Sequence, residues 1–324
     1  MIYSKISALA HYAPQTVLTN DDLSKIVDTS DEWIRPRTGI GSRHISSGEG
    51  TSDICTEIAK KLLEKSKLAA EDIDLIIVGT ISPDYASPSV ACLVQGNIGA
   101  ENAFAYDLSA ACSGFVYALA TADKFIKSGA YKTAMVIGAE TMSKLIDWND
   151  RSTCVLFGDG GGGAILTASH EPCGILQEEL KARGKDGLSL VVNERQTANS
   201  FAKPEKEDNK YLYMDGKKIF NFATKIVPES VNNILEKSGL TIDDVKYIVP
   251  HQANSRIIDI IARKLKCSID KFYVNIENYG NTSAGSIGIA LSEMQEKGLL
   301  NQGDKIIITG FGGGLTWGSM LLEM

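Results

Sequence analysis

Two kinds of apolar pattern alternate along the chain. DLIIVGT (74–80), TAMVIGAE (133–140), KYIVPH (246–251) and KIIITGF (305–311) are short, nearly continuous runs bounded by glycine, proline or charge. Such runs predict strands buried on both faces, as in sheets covered by helices on either side. In FVYALATADKFIK (115–127) and SRIIDIIARKLK (255–266) the apolar residues instead recur every three or four positions, which predicts helices. Val116, Leu119 and Ala120 form the apolar side of the first.

These parts come in the same order twice. KLAAEDIDLIIVGTISPD (67–84) and GLTIDDVKYIVPHQAN (239–254) each run through a helix end, an acidic turn and a buried strand. DLSAACSGFVYALATADKFIKSGAYKTAMVIGAE (107–140) and YGNTSAGSIGIALSEMQEKGLLNQGDKIIITGFGGG (279–314) each give a small-residue turn, a helix, a glycine stop and a strand. An α/β protein built by duplicating βαβ units follows, with halves 1–170 and 171–324 sharing one core. STCVLFGDGGGGAILTAS (152–169) reads as a strand pair joined by a glycine-rich turn. The polar stretch NERQTANSFAKPEKEDNKYLYMDGK (193–217) reads as an exposed loop.

Composition narrows the function classes. The 324 residues are 44% hydrophobic and 23% charged, with a net charge of −7, which disfavours a nucleic-acid surface. MIYSKISALAHYAP (1–14) is too short and polar for a secretory signal, and no apolar run reaches membrane-spanning length. A cytoplasmic location is the default. The six cysteines are scattered without a CxxC pair, and there are four histidines, so neither a zinc site nor a disulfide framework is expected. No cofactor is expected either.

Cys112, in DLSAACSGF (107–115), stands where a strand ends and a helix begins. It reads either as a small buried hydrophobe or as a nucleophile whose thiolate the helix N-terminus favours. His251 follows the apolar run YIVP, at the strand end where ligands of open α/β sheets collect. Asn281 falls within a few residues of the position equivalent to Cys112, so the duplication brings the two together from opposite halves. A cysteine, a histidine and an asparagine so placed suit acyl transfer. The glycine runs FGDGGGGAI (157–165) and TGFGGGLTWGS (309–319) fit neither a P-loop nor a dinucleotide fingerprint. In the second run, a bare N–H could serve an oxyanion.

ACSGF (111–115), HQAN (251–254), NYGNTSAGS (278–286) and GFGGGLTWGS (310–319), with DEWIRPRTGI (31–40) and DRSTCVLFGDGGGGA (150–164), resemble the β-ketoacyl-[acyl-carrier-protein] synthase III family. These condensing enzymes initiate type II fatty acid synthesis, and the resemblance spans essentially the full length. It implies a homodimer of the thiolase fold, five-layered α-β-α-β-α. One histidine and one asparagine set the chain apart from elongating synthases, which use two histidines. A C-terminal glycine segment without cysteine sets it apart from thiolases.

The resemblance also implies roles. Cys112 takes an acyl group from an acyl-CoA primer, with the N–H groups of Cys112 and Gly313 holding the oxyanion. His251 and Asn281 stabilise the enolate left when malonyl-acyl carrier protein loses CO2. Trp33 and Arg151 match positions that sandwich the CoA adenine, Arg37 one that contacts its phosphates, and Asn254 one near the pantetheine. Arg256 matches the carrier-docking position. On that helix Arg263 shares its face, and Lys217, Lys218, Lys264 and Lys266 could add charge, whereas Asn221 replaces a residue that is often basic. Ser87, before Pro88, stands where well-known bacterial members carry a phenylalanine that reaches across the dimer to floor the partner's acyl pocket. A longer or branched primer follows as an expectation. The competing readings are a same-fold acyltransferase or specialised-metabolism condensing enzyme acting on another acceptor, and a non-catalytic partner subunit.

Overall fold

The computed structural model describes residues 1–192, 196–203 and 208–324. Each half launches a central strand from the same device. The Ala69 N–H donates to Asp72 Oδ2 at 2.9 Å, and the Thr241 N–H donates to Asp244 Oδ2 at 2.7 Å. Each acidic turn thus caps its own one-turn helix, and strands Leu75–Gly79 and Tyr247–Pro250 follow.

Two mixed sheets result. One runs in the spatial order Tyr3–Tyr12, Gly160–Ser169, Thr133–Glu140, Leu75–Gly79 and Phe104–Leu108. The other runs Gly174–Ala182, Thr316–Glu323, Lys305–Gly312 and Tyr247–Pro250. Strand for strand, the second repeats the first. Its fifth member is reduced to an isolated parallel bridge between Ile248 and Phe272. The chain passes from one sheet to the other through residues 170–173.

Alternation explains why the strand runs lack polar positions. Leu75 and Ile77 face a central layer made by helices Gly114–Lys127 and Ser286–Glu296, while Ile76 and Val78 face the outer helix Thr51–Ser66. In the second sheet Ile306 and Ile308 meet the same central layer. Ile307 turns outward to helices Gly216–Ser238 and Ser255–Leu265. The layers are therefore α-β-α-β-α, and each isoleucine or leucine so buried contributes about 1.5–3 kcal/mol.

The first glycine run is not a turn. Gly160–Gly163 open the strand Gly160–Ser169, which pairs with both Thr133–Glu140 and Tyr3–Tyr12. The reason lies in a distant segment: a Cβ on Gly285 would stand 2.8 Å from Gly161 Cα, and one on Gly288 2.6 Å from the Gly162 carbonyl carbon. Glycine lets the central helix lie directly on the strand.

The polar stretch 193–217 also differs from a simple loop. Residues 193–195 and 204–207 lie outside the described residues. At its far end Tyr213–Met214 pairs with Leu190–Val191, and Leu212 is buried. All six cysteines are free thiols. Among the described residues, no helix is long and apolar enough to cross a membrane.

Candidate active site

Cys112 sits in a one-turn helix, Ala111–Ser113, that feeds the central helix Gly114–Lys127. Its counterpart is Ser283–Gly285, feeding Ser286–Glu296. The backbone of the two turns matches: Ala111 has φ 46° and Ser283 has φ 49°. Non-glycine residues in that region carry about 1–3 kcal/mol of strain and persist where the surroundings over-determine them. The turns face each other across the pseudo-twofold, since a Cβ on Gly114 would lie 3.2 Å from Ala284 Cβ. Ala111 is thereby equivalent to Ser283 and Cys112 to Ala284, which puts Asn281 beside the cysteine.

Cys112, His251 and Asn281 line one cavity of about 1600 Å³, together with Phe311 and the glycines 312–314. Strand Tyr247–Pro250 delivers His251, whose ring stands edge-to-face on Phe311 at 5.2 Å. Its Nδ1 lies 2.7 Å from Ser286 Oγ. Asn281 is held by its backbone, its N–H donating to Leu156 O at 2.9 Å and its O accepting from Gly158 N–H at 3.1 Å. Its Oδ1 accepts from the Ser283 N–H at 2.9 Å, which leaves Nδ2 as the donor on offer.

Burial dominates the electrostatics. It drives His251 down to about 3, so the imidazole is neutral at physiological pH. It pushes the Cys112 thiol up to about 12, only partly opposed by a hydrogen bond to Ser283. Desolvation thus outweighs the pull of the helix N-terminus toward thiolate.

The remaining candidates fall around this centre. Gly313 lines the cavity. Its neighbour Gly312 makes the closest approach, since a Cβ there would stand 2.9 Å from Cys112 Cβ and 3.1 Å from Sγ. Asn254 also lines the cavity and caps helix Ser255–Leu265, its Oδ1 accepting from Arg256 N–H at 2.9 Å and its Nδ2 donating to Arg37 O at 3.0 Å. Trp33, Arg37 and Arg151 form a stack of their own outside the cavity lining. The guanidinium of Arg37 lies 4.9 Å and that of Arg151 4.8 Å from the Trp33 ring centre. Arg256 and Arg263 are exposed on one helix face, and Lys217, Lys218, Lys264 and Lys266 are exposed as well. Ser87 is exposed and stays out of this chain's own cavity wall, to which Tyr85, Ala86 and Ser89 contribute.

Sequence reasoning misses four residues here. Gly312 hides in a glycine triplet, and Ser286 is one of several serines in a small-residue run. Ser283 and Glu140 give no signal of their own, because only folding joins them to Cys112. Asp208, Lys210, Leu212 and Met214, within the stretch expected to be solvated, also line the cavity.

Duplicated halves in five layers, with a cysteine seated at the start of a buried central helix, define a thiolase-fold acyl-transferring enzyme. Comparison with known proteins narrows this. Residues 106–184 match the 3-oxoacyl-[acyl-carrier-protein (ACP)] synthase III family and residues 235–324 its C-terminal family. The beta-ketoacyl-[acyl-carrier-protein] synthase III of Streptococcus gordonii is 53% identical, with 100% of each chain covered. The enzyme of that name from Clostridium beijerinckii is 52% identical, over 98% of each. The crystal structure of 3-oxoacyl-[acyl-carrier-protein] synthase III from Aquifex aeolicus superposes with a TM-score of 0.92 at 46% identity, covering 99% of this chain and 100% of that one. The chain belongs to the β-ketoacyl-[acyl-carrier-protein] synthase III family of condensing enzymes.

Proposed function

We propose that the protein condenses an acyl-CoA primer with malonyl-acyl carrier protein, releasing CoA and CO2 and giving the 3-oxoacyl-acyl carrier protein that initiates fatty acid synthesis. The observation that carries this reading is the meeting of Cys112, neutral His251 and Asn281 on one cavity.

Cys112 attacks the primer thioester, and the N–H groups of Cys112 and Gly313 bind the oxyanion. CoA departs. The malonyl thioester then enters with its oxygen against His251 and Asn281. With Nδ1 paired to Ser286 Oγ, Nε2 is the ring nitrogen left for the substrate, and the role requires the tautomer with its proton there, so that both His251 and Asn281 present N–H donors to that oxygen. They stabilise the enolate as CO2 leaves, and its carbon attacks the acyl-cysteine. Neutral histidine suits this role, since it offers a donor without adding a proton to the enolate.

Trp33 and Arg151 are assigned to the CoA adenine, Arg37 to its phosphates and Asn254 to the pantetheine arm. Arg151 stacks on Trp33 directly, so adenine binding between them requires the guanidinium to swing aside. The halves 1–170 and 171–324 act as one unit, and two copies form a cytoplasmic homodimer in which position 87 meets the partner's acyl pocket. Arg256 docks the acidic carrier protein. The substitution Arg256→Glu is expected to raise KM for malonyl-acyl carrier protein about tenfold at low salt, less as salt rises, with acyl-CoA loading unchanged. Equal damage to both steps would remove the docking role. Rates from acetyl- to hexanoyl-CoA are expected to show longer primers accepted, because serine at 87 leaves room that phenylalanine would fill. Strict acetyl preference contradicts that.

The deciding experiment incubates the enzyme with acetyl-CoA and malonyl-acyl carrier protein and follows acyl-enzyme, CO2 and product. All three are expected. Labelling of Cys112 without CO2 would indicate an acyltransferase, and no labelling a scaffold.

A further inference from the structure

Glu140 ends the central strand Thr133–Glu140 and is fully buried, yet the mechanism above gives it no part. Among the described residues it has no ion-pair partner. One of its oxygens, Oε2, accepts from Thr80 Oγ1 at 2.9 Å and from Ser82 Oγ at 2.5 Å, and the Ile81 N–H donates to it at 3.1 Å. The other, Oε1, accepts from Ser283 Oγ at 3.1 Å. Ser283 in turn accepts from the Cys112 thiol at 3.4 Å. Each hydrogen bond in this chain points the same way, from sulfur to hydroxyl to carboxylate. The left-handed backbone of Ser283 holds the hydroxyl between the other two groups.

We propose that Glu140, acting through the Ser283 hydroxyl, stores the Cys112 proton for the lifetime of the acyl-enzyme. This rests on the reading of Cys112 as the acylated nucleophile. In acylation the S–H bond breaks as the new C–S bond forms. The thiol proton passes to Ser283 Oγ while the proton of Ser283 moves to Glu140 Oε1. The C–S bond to CoA breaks, and the CoA thiolate takes a proton from water. In condensation the enolate carbon bonds to the acyl carbon and the C–S bond to Cys112 breaks, its electron pair staying on sulfur. The proton returns from Glu140 through Ser283, which leaves the thiol ready for another cycle.

The electrostatics agree with this geometry. Burial raises the Glu140 carboxyl to about 7, a base strength suited to proton exchange near neutral pH. The titratable groups that face it are Cys112, Cys55 of helix Thr51–Ser66, and Lys144, with neutral His251 on the cavity wall from the other half. A purely structural carboxylate would need no hydroxyl link to the nucleophile. Ser283 meets the reacting sulfur and is catalytic in this scheme, whereas Glu140 acts through Ser283 and is a positioning residue.

The test compares wild type, Glu140→Gln and Ser283→Ala by rapid-quench acylation with acetyl-CoA and by iodoacetamide alkylation, each across pH 5.5–9. Wild-type acylation is expected to rise through an apparent pKa of about 7 and then level, as the stored-proton site becomes free to accept. Both variants are expected to lose that inflection and to acylate about 10²-fold more slowly at pH 7, their rates still climbing at high pH. Ser283→Ala leaves the Thr80, Ile81 and Ser82 contacts of Glu140 in place, so it decides the matter even if Glu140→Gln fails to fold. An unchanged profile in Ser283→Ala overturns the proposal, and so does a uniform drop that keeps the inflection. A wild-type enzyme that acetyl-CoA does not label at Cys112 would overturn the parent reading before either variant is compared.

Discussion

The turns Ala111–Ser113 and Ser283–Gly285 share one backbone and carry different side chains. Both begin with a left-handed residue, both open a central helix, and each packs against the other. One carries Cys112, the proposed nucleophile. At the equivalent place the other has Ala284, whose small side chain lets the turns approach, and it brings Asn281 and Ser283 instead. Duplication thus supplies two rigid, matched corners, and a few side chains split the labour between them. In the proposed reaction the first half holds the acyl group, and His251 and Asn281 of the second half manage the charge that develops in condensation.

The strongest way to break this division is to remove one of the donors the second half supplies. His251→Ala and Asn281→Ala are each expected to lower condensation by about 10²–10³-fold, the usual consequence of losing one oxyanion donor. Product formation from preformed acyl-enzyme and malonyl-acyl carrier protein measures this. Gly312→Ala sharpens the role of the first corner. A methyl 2.9 Å from Cys112 Cβ displaces the nucleophile, and a displacement of about 1 Å can slow acylation about 10²-fold. Near-wild-type acylation, measured by intact mass, would show that the close approach has no bearing on the nucleophile. The smallest effect is on stability. Ala111→Gly relieves the left-handed alanine but adds chain entropy to the unfolded state, so thermal unfolding is expected to shift upward by about 1 kcal/mol or less. A clear loss of stability would mean that the turn is not strained.

Much of this was legible in the sequence, for local reasons. Apolar runs such as LIIV and KIIIT declare strands buried on both faces, and the acidic turns at Asp72 and Asp244 cap themselves within three residues. The repeated order of parts then pairs Cys112 with Asn281 and places His251 at a strand end. What escaped depends on contacts between distant segments. The glycines at 160–163 read as a turn because their true reason, the helix Ser286–Glu296 lying on them, is remote in sequence. Glu140 reads as an ordinary strand-end acid until folding sets it behind Ser283. The raised thiol of Cys112 likewise follows from burial, which no local motif reports.

The central proposal is that Cys112 and the donor pair of His251 and Asn281 act in separate steps. Its most direct test is a single turnover of Asn281→Ala with labelled acetyl-CoA and malonyl-acyl carrier protein, in which acyl-enzyme and CO2 are measured together. The division predicts Cys112 acylated at close to the wild-type rate while CO2 release falls by about 10²-fold or more. Acylation and CO2 release falling by the same factor would contradict it.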